Sequence, residues 1–185
     1  MGKKILILNG SPRLKGNTAM LCDAFTRGAE SSGHSVTRID LQKLDIHGCL
    51  GCMKGGKDPA SPCVQKDGME KVYPAYVAAD IVVLASPMYY WAFSGQLKTA
   101  FDRLFAVAEC NADYANPRKD CALLMAAEGD TPDNWKPVLD YYKALLDFLK
   151  WKNLGHVLAG GLLDAGAIAG KPVLEQARAF GAALG

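Results

Sequence analysis

Excess charge of either sign is missing from this chain. Its 21 Lys and Arg stand against 19 Asp and Glu, a net of +2. That balance gives no reason to expect nucleic acid or an anionic membrane as partner. It also argues against a carrier that docks on redox proteins through an acidic face, and so favours an enzyme with small substrates. Long apolar runs are missing too, and none approaches the length a bilayer demands. The first apolar stretch is only Ile5 to Leu8, shorter than the apolar region of a signal peptide, and reads as a strand. A cytoplasmic location with no membrane partner is the expectation. Histidine is scarce: His34 at a helix-to-strand turn and His156 in a predicted strand read as structural. With no secretory signal, Cys22, Cys49, Cys52, Cys63, Cys110 and Cys121 are expected as thiols or metal ligands rather than disulfides.

What is present is a repeated strand-then-helix pattern in 185 residues, half of them hydrophobic. That length suits one domain over 1–185 with a substantial core. Lys4 to Leu8 is a strand buried on both faces. Asn17 to about Ser32 has helical spacing, with Asn17 or Thr18 able to cap its start and Gly33 just past its end. Val36–Leu41 is a second strand, and Gln42–Asp67 a long irregular loop. A helix over Gly68–Ala79 leads to the strand Ile81–Ala85, then a loop over Ser86–Phe93. Ser94 can cap a helix carrying Leu97, Ala100, Phe101, Leu104 and Phe105. Cys121–Ala126 and Asn153–Gly161 are the remaining strands. Between them Thr131 and Pro132 open a helix, and a last helix runs from Pro172 to about Ala183. This alternation requires an α/β sandwich of three layers, a parallel sheet covered on both faces. Five strands suit the flavodoxin-like order 2-1-3-4-5, whose ligands sit beyond the carboxyl ends of the strands.

The loop Gly10-Ser11-Pro12-Arg13-Leu14-Lys15-Gly16-Asn17-Thr18 joins a buried strand to a helix N-terminus. Free N–H groups and the helix dipole attract phosphate there. Ser11, Asn17 and Thr18 add donors, Arg13 and Lys15 add charge, and Gly10 and Gly16 allow a sharp turn. Asn17 stands where a Walker loop needs lysine. The glycines of a dinucleotide fingerprint are absent, as is a phosphatase cysteine. A plain capped turn with two solvated cations is the competing reading.

Ser86-Pro87-Met88-Tyr89-Tyr90-Trp91-Ala92-Phe93 puts four aromatic side chains at a loop expected beside the phosphate loop. A flat isoalloxazine ring needs such a wall. Core or dimer packing is the alternative use for Trp91 and Phe93. The turn Glu128-Gly129-Asp130 lies at the same expected edge, where Glu128 can touch a ring, although an ordinary turn explains it equally well.

Together the two loops resemble those of the NADPH-dependent FMN reductase and iron–sulfur flavoprotein group of the flavodoxin-like superfamily. The resemblance rests on Gly10-Ser11-Pro12-Arg13, Gly16-Asn17-Thr18, Ala79 through Tyr90, Leu97-Lys98 and Asp102-Arg103. It implies noncovalent FMN in a homodimer or homotetramer, with Ser11, Arg13, Asn17 and Thr18 at the phosphate. Pro87, Met88, Tyr89, Tyr90 and Trp91 would line the ring. NADPH or NADH would donate hydride, and a quinone, flavin, metal ion or nitroaromatic would take the electrons. A carrier serving redox protein partners is the alternative. Leu97-Lys98 and Asp102-Arg103 are expected to be structural, with Arg103 ordering a loop.

Cys49-Leu50-Gly51-Cys52 and Cys63 form C-x2-C-x10-C. Iron–sulfur members of the group carry a compact four-cysteine motif in this region, but here Lys54 and Gly55 stand where a third close cysteine is expected. Three thiolates fall short of a cubane cluster. A metal-free loop is the favoured reading, ahead of zinc completed by His47 and of an iron–sulfur cluster. The C-x-x-C spacing also permits a redox pair.

Overall fold

The fold is seen in a computed structural model that describes residues 2–184. The strands are β1 (Lys4–Asn9), β2 (Ser35–Asp40), β3 (Ile81–Tyr89), β4 (Ala92–Phe93), β5 (Asp120–Ala126) and β6 (Lys152–Ala159). The helices are α1 (Asn17–Ser31), α2 (Met69–Ala78), α3 (Gly95–Arg103), α4 (Phe105–Ala108), α5 (Pro132–Leu149) and α6 (Pro172–Ala182), with a 3-10 turn at Leu41–Lys43. The sheet order is β2-β1-β3-β5-β6, all parallel, with β4 paired antiparallel to the end of β3. Leaving out the two-residue β4, this is the 2-1-3-4-5 order read from the sequence, and the fold is flavodoxin-like.

Side chains alternate across the sheet as the pleat requires. Leu6, Leu8, Val82, Leu84, Leu123 and Met125 join one core with α2, α3 and α5. Ile5, Ile7, Val83, Ala122 and Leu124 join the other with α1 and α6. The second layer is tight because two glycines face each other across it. A Cβ on Gly28 would lie 1.9 Å from the Arg178 carbonyl, and one on Gly181 2.2 Å from the Phe25 carbonyl. His34 ties the chain ends together: its Nδ1 accepts from the Lys3 N–H (3.0 Å) and its Nε2 meets the Leu184 carbonyl (2.6 Å). That pair of bonds needs the neutral ring protonated on Nε2.

Three local expectations are corrected. Ser86–Phe93 is not a loop, because Ser86 and Pro87 still pair with Met125 and Ala126 of β5, and Met88 and Tyr89 then pair with Phe93 and Ala92. The result is a hairpin, with only Tyr90 and Trp91 at its tip. Neither Asn17 nor Thr18 caps α1; Gly16 occupies the cap and no side chain bonds to the first turn. The helix begun at Ser94 breaks at Leu104 into α3 and α4. Ser94 does cap α3, accepting from the Leu97 N–H.

Candidate functional site

The loop after β1 is held from within. Asn9, fully buried at the end of β1, accepts the Ser11 N–H on its side-chain oxygen (3.2 Å) and donates to Asp40 (2.9 Å). The Ser11 hydroxyl accepts from the Arg13 N–H and donates to the Arg13 carbonyl. The Gly16 N–H also returns to that carbonyl (3.0 Å). Gly10 is wedged against α3, where a Cβ would come within 2.6 Å of Leu97 Cβ and of Ser94 Oγ. The loop therefore satisfies its own turns and leaves the first N–H groups of α1 without a side-chain cap. A helix start of that kind, beside Ser11 and Arg13, suits an anion.

The hairpin faces it. A cleft of about 230 Å³ runs from Ser11, Arg13, Gly16, Asn17 and Thr18 to Pro87, Met88, Tyr89 and Glu128. A second hollow of about 210 Å³ shares Met88, Ala127 and Glu128 with it and adds Tyr90, Trp91, Gly129 and Asn134. Tyr90 and Trp91 both sit at positive φ (48° and 59°), the conformation of a type I′ hairpin turn that normally takes Asn-Gly. Both are exposed, Tyr90 at 95%. Two aromatic residues held in a disfavoured backbone region and left in solvent make the hairpin tip a candidate part of the site.

A family model described as NADPH-dependent FMN reductase matches residues 3–133. The chain belongs to that family. An iron-sulfur flavoprotein of Archaeoglobus fulgidus is 37% identical over 95 residues, 51% of this chain and 42% of that protein. One from Methanocaldococcus jannaschii is 30% identical over 125 residues, 68% of this chain and 62% of that protein. The chain thus spans about half the length of these curated relatives. Among solved structures, NAD(P)H:quinone oxidoreductase from Methanothermobacter marburgensis superposes with a TM-score of 0.75 at 19% identity, over 98% of this chain and 96% of that one. That likeness is one of fold.

In this member of the FMN reductase family, the two hollows gather the anticipated residues apart from Lys15, which is exposed and lines neither. Asn17 does line the cleft, but its side chain is engaged elsewhere. It donates to the Asp164 carbonyl (2.9 Å) and accepts from the Ile168 N–H (3.2 Å), pinning the loop after β6. Sequence reading missed Leu162 and Leu163, which that loop brings to the cleft; their only signal is their place just past a strand's carboxyl end. It also missed Asn134 in the first turn of α5. The Asn134 Nδ2 is buried with no partner.

The cysteine loop is ordered by Arg103, as expected for that residue. Its guanidinium is buried and donates to the carbonyls of His47 (2.7 Å) and Gln65 (3.4 Å), to Cys63 Sγ (3.3 Å), and to both oxygens of Asp67. Burial alone would raise the Asp67 pKa, but Arg103 and the N–H groups of His47 and Met69 hold it below its ordinary 3.8. Cys49 and Cys52 are exposed at the loop's far end. Cys110, not counted with the loop from sequence, reaches it by donating to the Gly56 carbonyl (3.1 Å). Among the described residues no three His, Cys, Asp or Glu side chains stand close enough to share a metal ion. Cys22 and Cys121 are buried, and burial pushes both thiols up to about 12, which leaves them unreactive. Among the described residues no helix is long and apolar enough to cross a membrane.

Proposed function

We propose that the chain is an FMN-dependent oxidoreductase that takes hydride from NADPH or NADH and passes electrons to a small acceptor such as a quinone, free flavin, metal ion or nitroaromatic. The observation that carries this is the facing of an uncapped α1 start, with Ser11 and Arg13, by the hairpin wall of Met88 to Trp91 across one cleft. The donor set suits FMN. Arg13 makes no ion pair among the described residues, so its charge is free for a phosphate. The N–H groups of Asn17 and Thr18 complete the anion site, and the Ser11 hydroxyl, which here donates to the Arg13 carbonyl, would turn from it to join them. Met88, Tyr89, Tyr90 and Trp91 provide the ring wall, and the free amide of Asn134 and the carboxylate of Glu128 stand at its polar end.

Bound FMN supplies the hydride and electron chemistry. The chain's own residues bind, orient and shield it, and no side chain is assigned as acid or base. An anaerobic titration with NADPH and with NADH tests the reading. Loss of the oxidised-flavin absorbance is expected; a flavin that neither donor reduces contradicts it.

A carrier serving a protein partner is the second reading, favoured by the iron-sulfur flavoprotein names of the relatives. Negligible turnover with either nicotinamide but fast reduction by a ferredoxin would select it. A homodimer or homotetramer belongs to the proposal and is measured by light scattering.

A further inference from the structure

The sheet's opposite edge, where β1, β3, β5 and β6 begin, carries a second concave surface. Its cavity of about 540 Å³ is larger than the cleft at the phosphate loop. Lys3, Arg118, Lys119, Lys150 and Lys152 face it, opposed by Asp80 and Asp120. Among the described residues none of the five cations makes an ion pair.

Cations are ordinary where helices end, because they offset the negative end of the helix dipole. That explanation covers part of this cluster. α2 and α5 both end here, at Ala78 and Leu149, and two such ends amount to roughly one negative charge. Lys119 answers α2 directly: it is buried, and its ammonium donates to the carbonyls of Val77 (3.0 Å) and Ala79. One Asp80 oxygen already accepts the Lys4 N–H (2.8 Å). Five cations, less two carboxylates and about one unit of helix charge, leave a surplus of about two positive charges. Arg118, Lys150 and Lys152 stay exposed to use it.

The spacing is fixed by the sheet rather than by flexible stems alone. Lys152 pairs in register with Asp120 across β5 and β6, and its N–H donates to the Lys119 carbonyl (3.1 Å). Among the described residues no aromatic side chain lines the cavity, so it offers no flat wall for a base or a flavin ring. We propose that this edge binds a short chain of linked phosphates, an inorganic oligophosphate read by charge alone, independently of the flavin cleft.

Calorimetric titration of the FMN-saturated protein at low ionic strength is the test, with tripolyphosphate, orthophosphate and ATP as probes. Tripolyphosphate should bind about tenfold or more tighter than orthophosphate, and its affinity should fall as salt screens the exposed charges. ATP should bind no tighter than tripolyphosphate. The double variant R118E/K152E, at two exposed positions, should lose about tenfold or more in tripolyphosphate affinity while keeping its melting temperature and FMN uptake. R13A should keep full affinity. Equal binding of orthophosphate and tripolyphosphate, or indifference to salt in the wild type, overturns the proposal. So does full retention in R118E/K152E. Loss in R13A would move the binding to the phosphate loop, and ATP binding more than about tenfold tighter would show that a base is read; either result also overturns it.

Discussion

Two loops leave the same end of the sheet, one after β1 and one after β2, and they are built on opposite plans. The loop from Asn9 to Thr18 closes on itself through Asn9, Ser11 and the Arg13 carbonyl, and leaves the first N–H groups of α1 without a side-chain cap. The loop from Gln42 to Asp67 has bonds of its own, from the His47 N–H to Asp67, from Gln65 to the Gly48 carbonyl and from the Gly56 N–H to the Pro62 carbonyl, but its base is gathered from outside. One buried guanidinium, borrowed from the end of α3, gathers His47, Cys63, Gln65 and Asp67. A short loop closed by its own bonds is held throughout; a long one gathered chiefly by a borrowed side chain has an ordered base and an exposed tip. The substitutions that follow are chosen to pull these two plans apart.

The largest effect should come from Arg103→Ala. It strands the Asp67 carboxylate, 3% exposed, and should cost about 3–5 kcal/mol in urea unfolding. The gap to wild type should narrow in acid. The Asp67 pKa is depressed in the folded state, so its stabilising contribution is complete above the unfolded value near 3.8 and disappears as pH falls through the lower folded value. A gap that is constant with pH would remove Asp67 from the explanation.

Gly10→Ala acts on the other loop, where the new methyl meets Leu97 and Ser94. About 1–3 kcal/mol of stability should be lost, together with FMN affinity. Undiminished affinity would mean the loop tolerates the shift. Arg13→Ala separates binding from folding. FMN affinity should drop by roughly ten- to hundredfold, the worth of a charged hydrogen bond, with stability changed by less than about 0.5 kcal/mol. Replacing Tyr90 and Trp91 by Asn and Gly relieves the positive-φ strain. It should raise stability by about 1 kcal/mol while weakening the flavin, as fluorescence quenching can report. The smallest effect is expected for C49S/C52S at the exposed tip, within about 0.5 kcal/mol and with FMN uptake unchanged.

The sequence was most informative where one local rule decides the structure. Buried parallel strands read as apolar runs, and Thr131-Pro132 and Ser94 marked helix starts that are formed as read. The loop after β1 was visible as a candidate anion site because strand, glycines and cations adjoin in the chain. The hairpin was hidden because its tip carries Tyr90-Trp91 rather than the Asn-Gly that marks such turns, and because Ser86 and Pro87 stay in the sheet through β5, some forty residues away. Asn17 looked like a cap because the Asp164–Ile168 loop that claims its side chain is nearly 150 residues on. Leu162, Leu163 and Asn134 reach the cleft by the same long-range closure and carry no motif. Arg103 was legible as an ordering residue, but not its partners, since four separate loop positions converge on it only in three dimensions.

A paired titration of the purified protein with FMN and with riboflavin, which lacks only the phosphate, tests the phosphate-loop assignment most directly. About one equivalent of FMN should bind, and riboflavin should bind at least tenfold more weakly, because the groups at Ser11, Arg13 and the start of α1 then have nothing to hold. Equal affinity for the two, or no uptake of either, would contradict it.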